Sequence, residues 1–239
     1  MVEPAQCLLC GCMITTHLSL RELLLPGQVK APLTCEKCWT SFHPISSSNC
    51  CRGCGRDGCE SPLCAECQKW DHQYGWVVEN HPLYHYHGVI ADYLLRYKFH
   101  GDYRLHRVFN DQISQRVGTL AKQYSVSAIV PIPVTKHTLL TRGFNQVEAW
   151  LENLPRRSAI PVRKLLTAMS WQKVDQSRKS RQERLQSAQP FKLAQPVQLT
   201  GQTVLIVDDV YTTGRTLYHA ANLLNAAGAK RIVSVTLAA

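Results

Sequence analysis

The sequence predicts an α/β protein, a parallel sheet with helices on both faces, preceded by a small zinc-binding module. Three observations carry that expectation. All eleven cysteines fall between positions 7 and 67 of the 239 residues. Beyond them, apolar runs of strand length alternate with segments whose apolar residues recur at helical spacing, as in a parallel sheet joined by crossover helices. Finally, Val204–Thr216 (Val-Leu-Ile-Val-Asp-Asp-Val-Tyr-Thr-Thr-Gly-Arg-Thr) passes from an apolar strand to two carboxylates, a hydroxyl-rich loop and a helix start. The cysteine distribution divides the chain into a module over 1–75 and an α/β domain over 76–239.

Taken in order, the module contains four Cys-x-x-Cys pairs: Cys7/Cys10, Cys35/Cys38, Cys51/Cys54 and Cys64/Cys67. Two intervening residues let both thiolates of a pair reach one tetrahedral ion, and two pairs complete a four-cysteine site. Disulfides are not expected, because no secretory signal precedes the cysteines. A redox motif would be a single pair opening a helix after a strand. Structural zinc, one ion or two with two favoured, would supply about 10 kcal/mol to a segment too short for its own core. Sequential pairing groups Cys7, Cys10, Cys35 and Cys38, then Cys51, Cys54, Cys64 and Cys67; a crossed arrangement is the alternative. Cys12, Cys50 and Cys59 are left as free or buried thiols.

Residues 88–99 read as a helix with a buried stripe of Val89, Ile90, Tyr93, Leu94 and Tyr97. His100, just after it, reads as a surface histidine. A second helix is expected from about Leu105 to Lys122. Val126–Pro133 reads as a strand ended by prolines. Lys136 to Gln146 follows as a loop with a helix starting near Phe144, and its Lys136 and Arg142 suit a second anion site, such as one for pyrophosphate. Residues 160–167 read as another strand. Between Arg156 and Arg184 stand nine Lys or Arg residues against two acids, a run suited to solvated surface, an active-site flap or nucleic-acid contact.

Val204–Val207 reads as a strand buried on both faces. Asp208 and Asp209 follow at its carboxyl end, where open α/β sheets place ligands, and are expected near solvent. Thr212, Thr213, Gly214 and Thr216 then form a loop at a helix N-terminus, where free N–H groups and the helix dipole favour a phosphate. Carboxylates for sugar hydroxyls beside a phosphate cradle fit a phosphorylated ribose. Arg215–Ala227 reads as a helix closed by Gly228, and Ile232–Leu237 as the last strand.

The thirteen residues resemble the phosphoribosyl pyrophosphate (PRPP) signature of the type I phosphoribosyltransferases. That likeness implies that Asp208 and Asp209 hold the ribose 2′- and 3′-hydroxyls and that Tyr211, Thr212, Thr213, Gly214, Arg215 and Thr216 bind the 5′-phosphate. The cysteine pairs, Pro131-Ile132-Pro133, Arg142-Gly143-Phe144-Asn145-Gln146 and Val204–Thr216, in that order, are similar to the ComF family (ComFC/GntX-like). Gln176-Ser177 with Arg184-Leu185 matches more loosely, since Lys173 stands where many relatives carry threonine. The resemblance implies a zinc module joined to a phosphoribosyltransferase-like fold. It also implies a role in natural competence, in uptake and handling of internalised single-stranded DNA, with a ComFA-type helicase and a DprA-type DNA-processing protein as partners.

Composition bounds the rest. The net charge of +10 favours polyanionic partners. No run of 18 apolar residues occurs, so the expectation is a cytoplasmic protein, with association at the inner membrane face left open. Two functions remain. An enzyme would bind PRPP with Mg²⁺ held mainly by the ligand's oxygens, while Lys136 and Arg142 stabilise departing pyrophosphate. A non-catalytic module would hold single-stranded DNA or a nucleotide on the same fold, with Tyr97, Phe99, Tyr103 and Trp171 available for stacking.

Overall fold

The computed structural model describes residues 6–14, 32–46, 48–152, 154, 160–169 and 190–239. Arg156, most of the basic run that follows it, and the residues Trp171, Lys173, Gln176, Ser177, Arg184 and Leu185 discussed above lie outside the described residues.

Four parallel strands form the sheet: β1 (Glu79–Tyr84), β2 (Ala128–Pro131), β5 (Thr203–Val210) and β6 (Arg231–Ala238), in the order β1–β6–β5–β2. The register places Val204 beside Ile232 and Ala128 beside Val204. β5 is central and carries the longest apolar run, as a strand buried on both faces must. Its alternate side chains feed two cores. Leu205 and Val207 join Ile129, Val233 and Val235 under the helices α3 (Val89–Phe99), α4 (His106–Gln123) and α6 (Gln146–Leu151). Val204 and Ile206 join Val130 and Ile132 under α7 (Arg215–Ala226), whose Leu217, Tyr218, Ala221 and Leu224 form the facing stripe.

The second core also takes in Cys51, Cys54, Leu63 and Cys67. This part of the cysteine segment, with the helix α2 (Ala65–Tyr74), lies against β1 and α7. Asn80 of β1 donates to the Cys54 carbonyl (3.1 Å) and to Thr236 Oγ1 (3.0 Å), and accepts from Ser234 Oγ (2.9 Å). Gly55 sits so close to Asn80 and Pro82 that any Cβ there would collide with them. A short helix, α1 (Glu36–Thr40), follows Cys35.

The helix expected over 88–99 is α3, with Ile90, Tyr93, Leu94 and Tyr97 buried, and His100 is exposed. Three elements differ from expectation. Residues 136–142, read as loop, form the helix α5 (Lys136–Arg142), because Thr135 caps its N-terminus by accepting from the Thr138 N–H and Gly143 closes it at φ 86°. β1 was not anticipated: Glu79, Asn80, His81 and Pro82 break the apolar pattern, and the strand forms at a sheet edge, where proline is tolerated. The strand expected over 160–167 is divided. Val162 makes a single parallel bridge to Ile129, and β3 (Leu166–Ala168) pairs antiparallel with β4 (Phe191–Leu193). Among the described residues no helix is long and apolar enough to cross a membrane.

Candidate functional site

The sheet's carboxyl edge gathers the residues singled out above, with corrections. β5 runs on to Val210, so Asp208 and Asp209 lie within the strand and not beyond its end. They are not near solvent as expected: their exposures are 5% and 7%. Burial, followed by the neighbouring Asp209 charge, pushes the Asp208 carboxyl well above the usual carboxylate range; Lys98 and a bond from the Asp209 N–H (2.8 Å) oppose this only in part. Asp209 is held by cationic and amide donors. Lys98 Nζ lies 2.8 Å from its Oδ2, and Gln146 Nε2 donates to the same oxygen at 2.6 Å.

Lys98 was not anticipated in this role. It sits in the last turn of α3, next to the buried Tyr97, and only the packing of α3 against α6 brings it to the acid pair. The signal available was a lysine directly after the buried stripe.

The Arg142–Gln146 segment is explained residue by residue. Arg142 donates through Nη1 to Gln146 Oε1, and its buried Nε has no partner among the described residues. Gly143 turns the chain out of α5. Phe144 stacks on Tyr97 at 5.2 Å. Asn145 caps α6 by accepting from the Val147 N–H (2.9 Å) and donates to the Ile132 carbonyl (3.0 Å), tying the helix to the end of β2. Gln146 thus relays Arg142 to Asp209. Desolvation lowers the Arg142 pKa, with Asp209 opposing. Lys136, in contrast, is exposed at the start of α5 with no ion-pair partner among the described residues.

The loop after β5 leads into a helix start at Arg215, and Tyr211 is turned into the protein. Its N–H donates to the Ala238 carbonyl (2.9 Å), and its buried hydroxyl lies 3.8 Å from Cys67 Sγ. Both groups are taken up within the protein, because the strand pairing extends one residue further than the motif implies. Thr212, Thr213, Arg215 and Thr216 are exposed. Gly214 has φ 79° and lies over the Tyr211 ring, where a Cβ would run into the hydroxyl. It opens α7, whose first N–H groups lack helical acceptors.

The cysteines form two groups: Cys7, Cys10, Cys35 and Cys38, and Cys51, Cys54, Cys64 and Cys67, each with its sulfurs within 4.8 Å of one another. This is sequential pairing. Four convergent thiols are the donor set of structural zinc. The Cys54 thiol is pulled down to about 5, chiefly by a hydrogen bond from Cys67, while Cys67 is pushed up by the same bond. Cys12, Cys50 and Cys59 are free, and none is buried.

A model of the phosphoribosyl transferase domain matches residues 153–239. The competence protein ComFC of Streptococcus pneumoniae is 33% identical over 97% of this chain and 99% of its own. The chain belongs to the ComF family. ComFC of Bacillus subtilis is 31% identical over 97% of this chain and 93% of its own. Among solved structures, a purine phosphoribosyltransferase of Pyrococcus horikoshii overlaps 53% of this chain and 71% of its own at 18% identity, with a TM-score of 0.32. The matched residues contain β5, β6, α7 and the acid pair, and each of the two cysteine groups could hold a zinc ion.

The buried Asp208 yields a pH prediction. Its folded pKa exceeds the unfolded value, so the native state holds the proton longer, and stability falls as pH rises from the unfolded pKa through the folded one. Asp208→Asn keeps an acceptor for the Asp209 N–H and removes the charge. Its melting temperature should exceed the wild type's at about pH 7–8, with the gap closing toward about pH 4. Equal pH profiles for the two proteins would show that the carboxyl is not strained by burial.

Proposed function

We propose that this protein binds PRPP and acts in natural competence, in the uptake and handling of internalised single-stranded DNA. The observation that carries the ligand is the adjacency of two buried carboxylates to a loop of free N–H groups at the start of α7. A phosphoribosyl group needs both in one place: hydroxyl acceptors and an anion cradle. The curated relatives are named as competence proteins, which supports the cellular role.

In this reading Asp208 and Asp209 accept from the ribose 2′- and 3′-hydroxyls. Thr212, Thr213, Gly214, Arg215 and Thr216 hold the 5′-phosphate. Arg142, whose Nε has no partner among the described residues, meets the pyrophosphate. Lys98 and Gln146 hold Asp209 in place. Magnesium, if held mainly by the ligand's own oxygens, would supply further charge neutralisation. Lys136, exposed at the start of α5, can reach the departing anion only from solvent. Turnover would break the bond from ribose C1 to the pyrophosphate oxygen and join C1 to an acceptor nucleophile, with Arg142 stabilising the leaving charge.

Calorimetry with PRPP and Mg²⁺ tests the ligand. Binding that requires Mg²⁺ is the expected result, and no heat at millimolar PRPP would discard the small-molecule reading. The net charge of +10 favours a second reading, a single-stranded DNA module. Affinity for an oligonucleotide should then fall steeply with salt, and PRPP should neither bind nor compete. A ComFA-type helicase and a DprA-type protein are the partners proposed for either reading, with the protein in the cytoplasm.

A further inference from the structure

We infer that Arg56 and Trp70, both from the cysteine-rich segment, are positioning residues for the phosphate loop, so that the second cysteine group is part of the ligand site and not only a folding device. The inference rests on the phosphate-site reading of residues 212–216.

Arg56 follows the Cys51/Cys54 knuckle by two residues. Its Nη2 donates to the Tyr211 carbonyl (3.0 Å) and to the Thr212 carbonyl, and its Nη1 pairs with Glu66 at 3.2 Å. Trp70 lies on α2, which begins between Cys64 and Cys67, and its Nε1 donates to the Thr213 carbonyl at 2.9 Å. Two side chains thus hold three consecutive loop carbonyls.

The consequence follows from peptide geometry. In a planar trans peptide the carbonyl of one residue and the N–H of the next point in opposite directions. Fixing the carbonyls of 211, 212 and 213 toward the cysteine segment therefore aims the N–H groups of Thr212, Thr213 and Gly214 the other way. Those three N–H groups donate to no other described residue. Successive free N–H groups of this kind make an anion-binding concavity, which otherwise must be ordered when the anion arrives, at a cost in affinity.

Both donors are themselves fixed. Trp70 stacks on buried Tyr218 at 4.4 Å and 14°. Arg56 lies 5.7 Å over the Tyr211 ring, whose hydroxyl meets Cys67 Sγ and closes the space under Gly214. The path from the thiols to the loop is continuous: Cys54 to Arg56 through the chain, Cys67 to Tyr211 by contact, and Cys64 to Trp70 through α2.

Arg56→Ala, Arg56→Lys and Trp70→Phe test this. Lysine keeps the charge but not the fork that spans two carbonyls, and phenylalanine keeps the stack on Tyr218 but not the N–H. Each protein is first checked for zinc content, then read by hydrogen exchange at residues 212–216 without ligand and by PRPP calorimetry with Mg²⁺. With zinc unchanged, loop exchange should accelerate in all three. PRPP affinity should fall at least about tenfold for Arg56→Ala, nearly as far for Arg56→Lys, and about threefold for Trp70→Phe. Full rescue by lysine would reduce Arg56 to a charge and overturn the inference, as would unchanged loop exchange or faster exchange with unchanged PRPP affinity. Should Arg56→Ala lose zinc, Arg56→Lys and Trp70→Phe decide. If wild type binds no PRPP while the variants still loosen the loop, the ligand reading fails and the positioning of the loop stands.

Discussion

Serine at Cys51 and Cys54 should leave no cooperatively folded protein, not merely an unfolded N-terminal segment. Two thiolates cannot hold a tetrahedral zinc, and a structural site contributes about 10 kcal/mol. That is comparable to the whole stability of an ordinary domain, about 5–15 kcal/mol. The damage should spread because Cys51, Cys54 and Cys67 share a core with Val204, Ile206, Tyr211 and Tyr218. Chemical analysis should fall from two zinc to at most one, and the thermal transition should broaden or vanish. Serines at Cys7 and Cys10 should be milder, since Cys10 is exposed and Arg96 reaches that loop through the Leu8 and Leu9 carbonyls. A sharp melting transition with one zinc lost from the second group would refute the shared core.

Asp209→Ala should weaken PRPP binding between about tenfold and a hundredfold, the range for losing a charged hydrogen-bond partner, about 1.5–3 kcal/mol. It should also lower the melting temperature, contrary to what an acid pair near solvent would give. Lys98 would lose its counter-ion at 2.8 Å in a site where its side chain is only 20% exposed, and Gln146 would lose its acceptor. Asp209→Asn separates the two effects. The amide oxygen still accepts from Gln146, so much of the stability should return, while the charge required by the ribose hydroxyls does not. Calorimetry with PRPP and Mg²⁺ alongside a melting curve reads both. If Asp209→Ala binds like wild type, the acid pair has no part in ligand capture.

Much of this was legible in the sequence because the signals are local. A run of four β-formers ending in two acids and a glycine-containing loop specifies strand, turn and helix start within thirteen residues. Cys-x-x-Cys knuckles carry their metal chemistry in their spacing, and the buried stripe of α3 follows from helical periodicity. β1 escaped because an edge strand tolerates Glu, Asn, His and Pro, which cancel the alternation. α5 escaped because seven residues give periodicity too little length, and the cap at Thr135 and the glycine at 143 were the only marks of its ends.

By itself, then, the sequence determined the fold class, the acid–loop–helix unit and the four Cys-x-x-Cys pairs, each written in residues close together along the chain. The tertiary structure alone decided which partners those units have. Lys98 reaches Asp209 across 111 positions, Arg56 reaches Tyr211 across 155, and Trp70 reaches Thr213 across 143. Such contacts are set by how α3, α6 and the cysteine segment pack on the two faces of β5. A one-dimensional pattern records the burial that drives this packing but not the neighbour that results, so the sequence could name the site's acids and its loop but not the lysine, arginine and tryptophan that hold them.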